Sequence, residues 1–140
     1  MNATITTTAY SVPDKVMTNN DLENIVDTSD EWIRSRTGIL QRHVVSQDEA
    51  TSDISSKIAE KLLNQSGIEA DEIDLIIVGT VTPDHFTPST AAIVQKNIKA
   101  KNAWGFDLSA ACSGFLYGLV TGANFITSGQ YNKVMVIGVD

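Results

Sequence analysis

Cys112, the sole cysteine of the 140-residue chain, lies between a short apolar run, Ala103–Leu108, and the uncharged segment Cys112–Ser128, which reads as a helix. A thiol at a helix start sits among unpaired backbone N–H groups and at the positive end of the helix dipole, and both favour the thiolate. A lone cysteine also reads as a small buried hydrophobe. The strand-to-helix turn, the helix start and the small neighbours Ala110, Ala111, Ser113 and Gly114, which leave the sulfur approachable, together favour a nucleophile.

Trp32 and Arg36 stand four residues apart on a predicted helix and share a face. An indole beside a guanidinium makes a platform for a flat base carrying phosphates. From local sequence alone the preferred reading is plainer: the tryptophan anchors its helix to the core and the arginine pairs with a nearby carboxylate. His85 lies in the loop Thr82–Ser89, after an apolar strand, where α/β sheets usually bind ligands. It is a candidate base, but Pro83, Pro88 and a helix cap at Thr87 make a simple connection the preferred account. His43 alternates with apolar residues and reads as structural.

The elements that must position these residues follow from periodicity and capping. Ala3–Ser11 is rich in β-branched residues and predicts a strand, stopped by Val12-Pro13-Asp14. Thr18–Asp21 opens a short helix with Leu22, Ile25 and Val26 on its apolar side, and Thr28–Glu31 has the form of a capping box that starts a second helix running to Ser35 or Arg36. Gly38 ends that helix, and Ile39–Ser46 predicts a strand or ribbon. Ala50–Ser66 is an amphipathic helix with the stripe Ile54, Ile58, Leu62 and Leu63, a cap at Thr51 or Ser52 and a stop at Gly67.

The acidic cluster Glu69, Asp71, Glu72 and Asp74 surrounds a turn and reads as solvated surface. Ile73–Val81 is almost continuously apolar, which marks a parallel strand covered on both faces. A helix from Pro88 to Ile98, the strand before Cys112, the cysteine helix and a last strand, Asn132–Asp140, complete the order. Such alternation predicts an α/β layer with a parallel or mixed sheet. In the cysteine helix, apolar residues point in several directions, so it is expected to be buried on most sides. Gly114, Gly118 and Gly122 recur on one face, where a helix or backbone absent from this chain is expected to approach. Half of a larger layered structure is the resulting expectation.

Composition narrows the function. A net charge of −7 disfavours nucleic acid and anionic membranes as partners. One cysteine excludes an internal disulfide and suits a reducing cytoplasm. The N-terminus lacks the basic and then apolar run of a signal peptide, and Ser113, Thr121, Asn124 and Thr127 interrupt the one segment near the length of a membrane span.

The segment DTSDEWIRSRTGI (Asp27–Ile39), the pair Arg42-His43, the loop His85–Ser89 and above all FDLSAACSGF (Phe106–Phe115) closely resemble the N-terminal half of 3-oxoacyl-[acyl-carrier-protein] synthase III, over the whole chain. The resemblance implies an α/β fold: residues 1–140 as the N-terminal half-domain of a thiolase-like layered α/β/α/β/α structure, with a mixed sheet, a buried cysteine-bearing helix and the C-terminal half absent from this chain. It implies an acyltransferase that initiates fatty-acid biosynthesis. Cys112 takes an acyl group from acyl-CoA as a thioester, and a carbanion from decarboxylation of malonyl-acyl carrier protein attacks it. A thiolate is both nucleophile and leaving group in such chemistry, and the Cys112 N–H is a candidate oxyanion donor.

By the same resemblance Thr28, Trp32 and Arg36 match positions that contact the CoA nucleotide, which reverses the preference reached for Trp32 and Arg36 from local sequence. Neither His43 nor His85 matches the family's catalytic histidine, which belongs with an asparagine to the absent half. Similar enzymes often carry a bulky aromatic before the proline that matches Pro88, where it closes the partner's acyl pocket. Thr87 here implies a roomier pocket for longer or branched acyl groups. A homodimer in the cytoplasm is implied, with no cofactor, no metal, and acyl-CoA and malonyl-acyl carrier protein as substrates. The alternative is a non-catalytic half-domain that serves as a CoA-binding or assembly module.

Overall fold

In the computed structural model, which describes residues 2–140, Val12–Glu49 forms a unit of its own. Lys15–Thr18 (β1) pairs antiparallel with Gln41–Val44 (β2), and Asn19–Glu23 (α1) and Asp30–Thr37 (α2) lie between them in sequence. The ribbon expected around Ile39–Ser46 is present as β2, but its partner β1 falls just after the stop signal Val12-Pro13-Asp14, where no strand is expected. Short polar strands such as KVMT lack the apolar alternation that reveals a strand, because neither face is deeply buried.

Thr18 caps α1 as expected: its Oγ1 accepts from Asp21 N, while Asp21 Oδ2 accepts from Thr18 Oγ1 at 2.7 Å and Thr18 N at 2.8 Å. The Thr18 hydroxyl and then its amide hold the Asp21 carboxyl below its ordinary 3.8. A carboxylate lowered in this way contributes stability that is present above the ordinary value and lost as pH falls through the folded value. An NMR titration of the Asp21 side chain should therefore give a midpoint below 3.8, moving back toward 3.8 in Thr18→Ala. A wild-type midpoint at or above the ordinary value would contradict the capping box.

Helix α2 starts one residue later than the capping-box pattern suggests. Ser29 Oγ, not Thr28, accepts from Trp32 N, and Gly38 ends the helix in the left-handed conformation at φ 73°. Ile25 and Val26, expected on the inner side of α1, lie beyond its last residue and are exposed. The residues buried in this unit are Ile33 and Asn19. Asn19 joins the loops: its Nδ2 donates to Asp30 Oδ1 and Ile39 O, both at 2.8 Å, and its Oδ1 accepts from Arg42 Nη2 at 2.6 Å.

The second unit comprises Ala50–Asp140 together with the N-terminal segment up to Ser11. Its elements are Thr51–Ser66 (α3), Leu75–Gly79 (β3), Thr90–Asn97 (α4), Trp104–Leu108 (β4), Gly114–Thr127 (α5) and Val134–Gly138 (β5). The sheet is parallel in the order β4-β3-β5, with Leu75 opposite both Trp104 and Val134. Every residue of β3 is buried, as its continuous apolar sequence requires of a central strand. Ile54, Ile58 and Ala59 of α3 and Ala91 and Val94 of α4 cover one face, against Ile76, Val78, Met135 and Ile137. Helix α5 covers the other face.

Other residues replace several of the expected caps. Asp84 Oδ1 accepts from Ser52 N and Asp53 Oδ2 from Ala50 N, so α3 is capped by carboxylates and not by Thr51 or Ser52. Ser89 Oγ, not Thr87, accepts from Ala92 N at the start of α4, and the Thr87–Pro88 bond is cis. The acidic cluster is more than solvated surface: Asp74 Oδ2 accepts from the amides of Asn132 and Lys133, and Asp71 Oδ1 accepts from Lys101 N. These bonds clamp the turns that enter β4 and β5.

Two expectations are overturned. Ala3–Ser11 forms no strand; no backbone partner pairs with it. A ladder needs a second strand, and β propensity alone does not supply one. The cysteine helix is not buried on most sides either: Leu116 and Val120 are each 62% exposed, and Cys112 itself is exposed. Its buried residues are Gly114, Gly118 and Gly122. The partner of that glycine face is in this chain after all. A Cβ at Gly118 would lie 2.8 Å from Val136 Cγ1, and one at Gly122 3.0 Å from Val134 Cγ1. The glycine stripe lets α5 lie close on the sheet and thereby turns its larger apolar residues outward.

Candidate active site

Cys112 is carried on a tight connection between β4 and α5. Ala110 has φ −149° and ψ 26°, Ala111 adopts φ 46°, and Ala111–Ser113 form a single 3-10 turn that leads into α5. Non-glycine residues rarely enter the positive-φ region, and such strain gathers at functional sites. The surrounding structure holds it in place. Gly79, at the end of β3, approaches Gly114 so closely that a Cβ there would stand 2.8 Å from the Gly114 carbonyl carbon. Thr80 N donates to Leu108 O at 3.2 Å, which pins the last residue of β4.

The amides of the turn are not equivalent. Ser113 N donates to Ala110 O and Gly114 N to Ala111 O, whereas Cys112 N has no partner among the described residues. An unpaired N–H beside an exposed sulfur is the arrangement that an oxyanion on a Cys112 adduct needs. Asp107, on β4, accepts from Thr90 N at 2.7 Å and Ala91 N at 2.8 Å. It thus ties the strand that carries Cys112 to the start of α4 and the loop before it, a link between residues far apart in sequence that no local pattern reveals. In that loop His85, Phe86 and Thr87 are exposed.

In the other unit, Trp32 is 57% exposed and does not anchor α2; Ile33 takes that inward place. Arg36 is exposed, without an ion pair among the described residues, while the neighbouring Arg34 pairs with Asp30 at 3.4 Å. The plain reading of this pair from local sequence is therefore overturned: the indole and the guanidinium both face solvent. Thr28 and Trp32 line one hollow of about 330 Å³ together with Asp27 and Ser29. His43 Nδ1 lies 2.6 Å from Pro13 O, in a structural role. No helix of the described residues is long and apolar enough to cross a membrane.

A parallel α/β sheet with a cysteine presented at the end of a strand, on a strained turn into a glycine-faced helix, matches a portion of the thiolase-like α/β fold. The particular family is that of beta-ketoacyl-[acyl-carrier-protein] synthase III, to whose N-terminal portion the chain is homologous. Residues 106–140 match the family model of 3-oxoacyl-[acyl-carrier-protein] synthase III. The beta-ketoacyl-[acyl-carrier-protein] synthase III of Chlorobaculum tepidum is 61% identical over 100% of this chain and 43% of its own length. That of Streptococcus sanguinis is 58% identical over 97% of the chain and 42% of its own. Among solved structures, 3-oxoacyl-[acyl-carrier-protein] synthase III from Aquifex aeolicus superimposes with a TM-score of 0.88 at 47% identity, covering 92% of this chain and 41% of that one. The chain thus spans somewhat under half the length of the relatives it matches.

Proposed function

We propose that this chain forms the N-terminal, acyl-accepting portion of a beta-ketoacyl-[acyl-carrier-protein] synthase III that acts in the cytoplasm as a homodimer. The observation that supports this best is the exposed Cys112 beside its own unpaired amide, on a turn held by Gly79 and Gly114. Cys112 Sγ attacks the thioester carbonyl of acyl-CoA, the Cys112 N–H donates to the oxyanion, and CoA leaves as the acyl group passes to sulfur. The carbanion formed when malonyl-acyl carrier protein loses CO₂ then attacks the acyl thioester, giving a 3-oxoacyl product and freeing Cys112. The groups that assist decarboxylation belong to the C-terminal half of the layered α/β/α/β/α fold, so residues 1–140 alone accept an acyl group without completing the condensation.

The CoA nucleotide rests on the exposed Trp32, with Arg36 toward its phosphates and Thr28 at the edge of the hollow. Thr87, in place of a bulky aromatic, leaves the acyl pocket open to longer or branched groups. Alkylation tests the nucleophile: iodoacetamide should modify Cys112 in the native chain, and acetyl-CoA should protect it. Trp32→Ala and Arg36→Ala should each weaken the protection roughly tenfold, the loss of about 1.4 kcal/mol of binding. Equal alkylation with and without acetyl-CoA would favour the alternative, a half-domain that does no chemistry.

A further inference from the structure

Helix α2 has two polar sides. Asp30 and Arg34 share one and are paired at 3.4 Å. Trp32 and Arg36, each two residues further on, are turned about 200° away from them and face solvent. Arg34 is thus engaged within its own helix, and Arg36, without an ion pair among the described residues, is the cation left for an anionic ligand. Which side points outward depends on how this eight-residue helix is rotated about its axis. Apolar packing does little to set that rotation, because among the described residues Ile33 is the one buried apolar side chain of Val12–Glu49.

The side chain of Asn19, 1% exposed, grips the helix instead. Its Nδ2 donates to Asp30 Oδ1, on the first residue of α2, and to Ile39 O, two residues past the last. Its Oδ1 accepts from Arg42 Nη2, whose guanidinium also donates through Nη1 to Met17 O at 3.2 Å. Glu23 Oε1 adds a further hold on the first turn by accepting from Asp30 N at 2.7 Å. A carboxylate and a carbonyl only accept and a guanidinium only donates, so the residue among them must offer two donors and one acceptor. Asparagine does so; aspartate would set a second carboxylate against Asp30 and the Ile39 carbonyl.

We propose, on the reading of Trp32 and Arg36 as the platform for the CoA nucleotide, that Asn19 is the positioning residue of that platform. By holding both ends of α2 from the Asp30 side, it sets the rotation of the helix and with it the direction in which the indole and the guanidinium are presented. Asn19 itself is buried and touches no ligand. Its three bonds act on a base-and-phosphate ligand through helix geometry alone.

The test titrates adenosine 3′,5′-bisphosphate, the nucleotide portion of CoA, into the 140-residue chain while NMR follows the two indole N–H resonances. In the wild type the Trp32 signal should move to saturation, while that of Trp104, whose Nε1 donates to Tyr131 Oη at 2.7 Å, stays in place. In Asn19→Asp, at a temperature where β1 and β2 amides remain protected from exchange, the free Trp32 signal should already be displaced and the dissociation constant raised roughly tenfold. A residue that only stabilises the unit moves neither while the unit stays folded. Asp30→Ala separates positioning from charge. Removing a carboxylate beside Arg34 would by attraction alone tighten phosphate binding. Releasing Asn19 from the first turn should instead weaken it, by roughly fivefold. If Asn19→Asp does not fold, Asp30→Ala decides. A wild-type chain whose Trp32 signal never moves overturns the nucleotide platform and the role of Asn19 together. Wild-type binding with unchanged affinity in folded Asn19→Asp, or with unchanged or tighter affinity in Asp30→Ala, overturns the role of Asn19 alone.

Discussion

Gly79→Ala should lower the melting temperature of the chain by roughly 10 °C, the effect of about 3 kcal/mol on a domain of this size. The added Cβ would meet the Gly114 carbonyl carbon at 2.8 Å, and Gly114 O and Phe115 N at 3.1 Å. All three are backbone atoms, so no side chain can swing aside to make room. Relief requires that the start of α5 move off the sheet, and Cys112 lies just before it. Gly114 differs, since a Cβ there would approach Gly79 Cα at 3.4 Å, an ordinary contact. Gly114→Ala should accordingly be the milder change, by about 2 kcal/mol or more. Thermal unfolding followed by circular dichroism checks both. A Gly79→Ala chain that melts with the wild type would mean that the approach of β3 to α5 is not tight.

Asn19→Ala should destabilise the Val12–Glu49 unit by about 3 kcal/mol and leave the parallel sheet almost untouched. Deleting the amide removes the bonds to Asp30, Ile39 O and Arg42, and leaves a part-buried guanidinium nitrogen and a carbonyl without their partners. A unit whose buried residues are Asn19 and Ile33 has little apolar burial to compensate. Exchange of amides in β1, β2 and α2 should accelerate on the order of a hundredfold, while those of β3 keep their rates. Uniform acceleration across both units, or none, would contradict the role given to Asn19.

What the sequence discloses and what it conceals divides along the distance between interacting residues. The Thr18–Asp21 box, the helix stops at Gly38 and Gly67 and the central strand β3 are legible because each signal lies within a few residues of its effect. The bonds from Asp84 to the start of α3 and from Asp107 to the start of α4 are not, because Asp84 reaches Ser52 across 32 positions and Asp107 reaches Thr90 across 17. The same holds for the Asn19 hub, whose Arg42 partner is 23 positions away. The apolar residues spread round α5 suggest burial on all sides, yet the sheet selects the face with no side chains, since only that face admits close approach. At the site, the position of Cys112 at a strand-to-helix turn is plain from its neighbours; the positive φ of Ala111 and the unpaired Cys112 amide are not.

The proposed function rests on Cys112 accepting an acyl group, and the intact mass of the chain after incubation with acetyl-CoA tests that most directly. One acetyl adduct per chain is expected, absent in Cys112→Ala and released by hydroxylamine, as a thioester is. A native, folded chain whose mass never changes with acetyl-CoA, or an adduct that persists in Cys112→Ala, would contradict it.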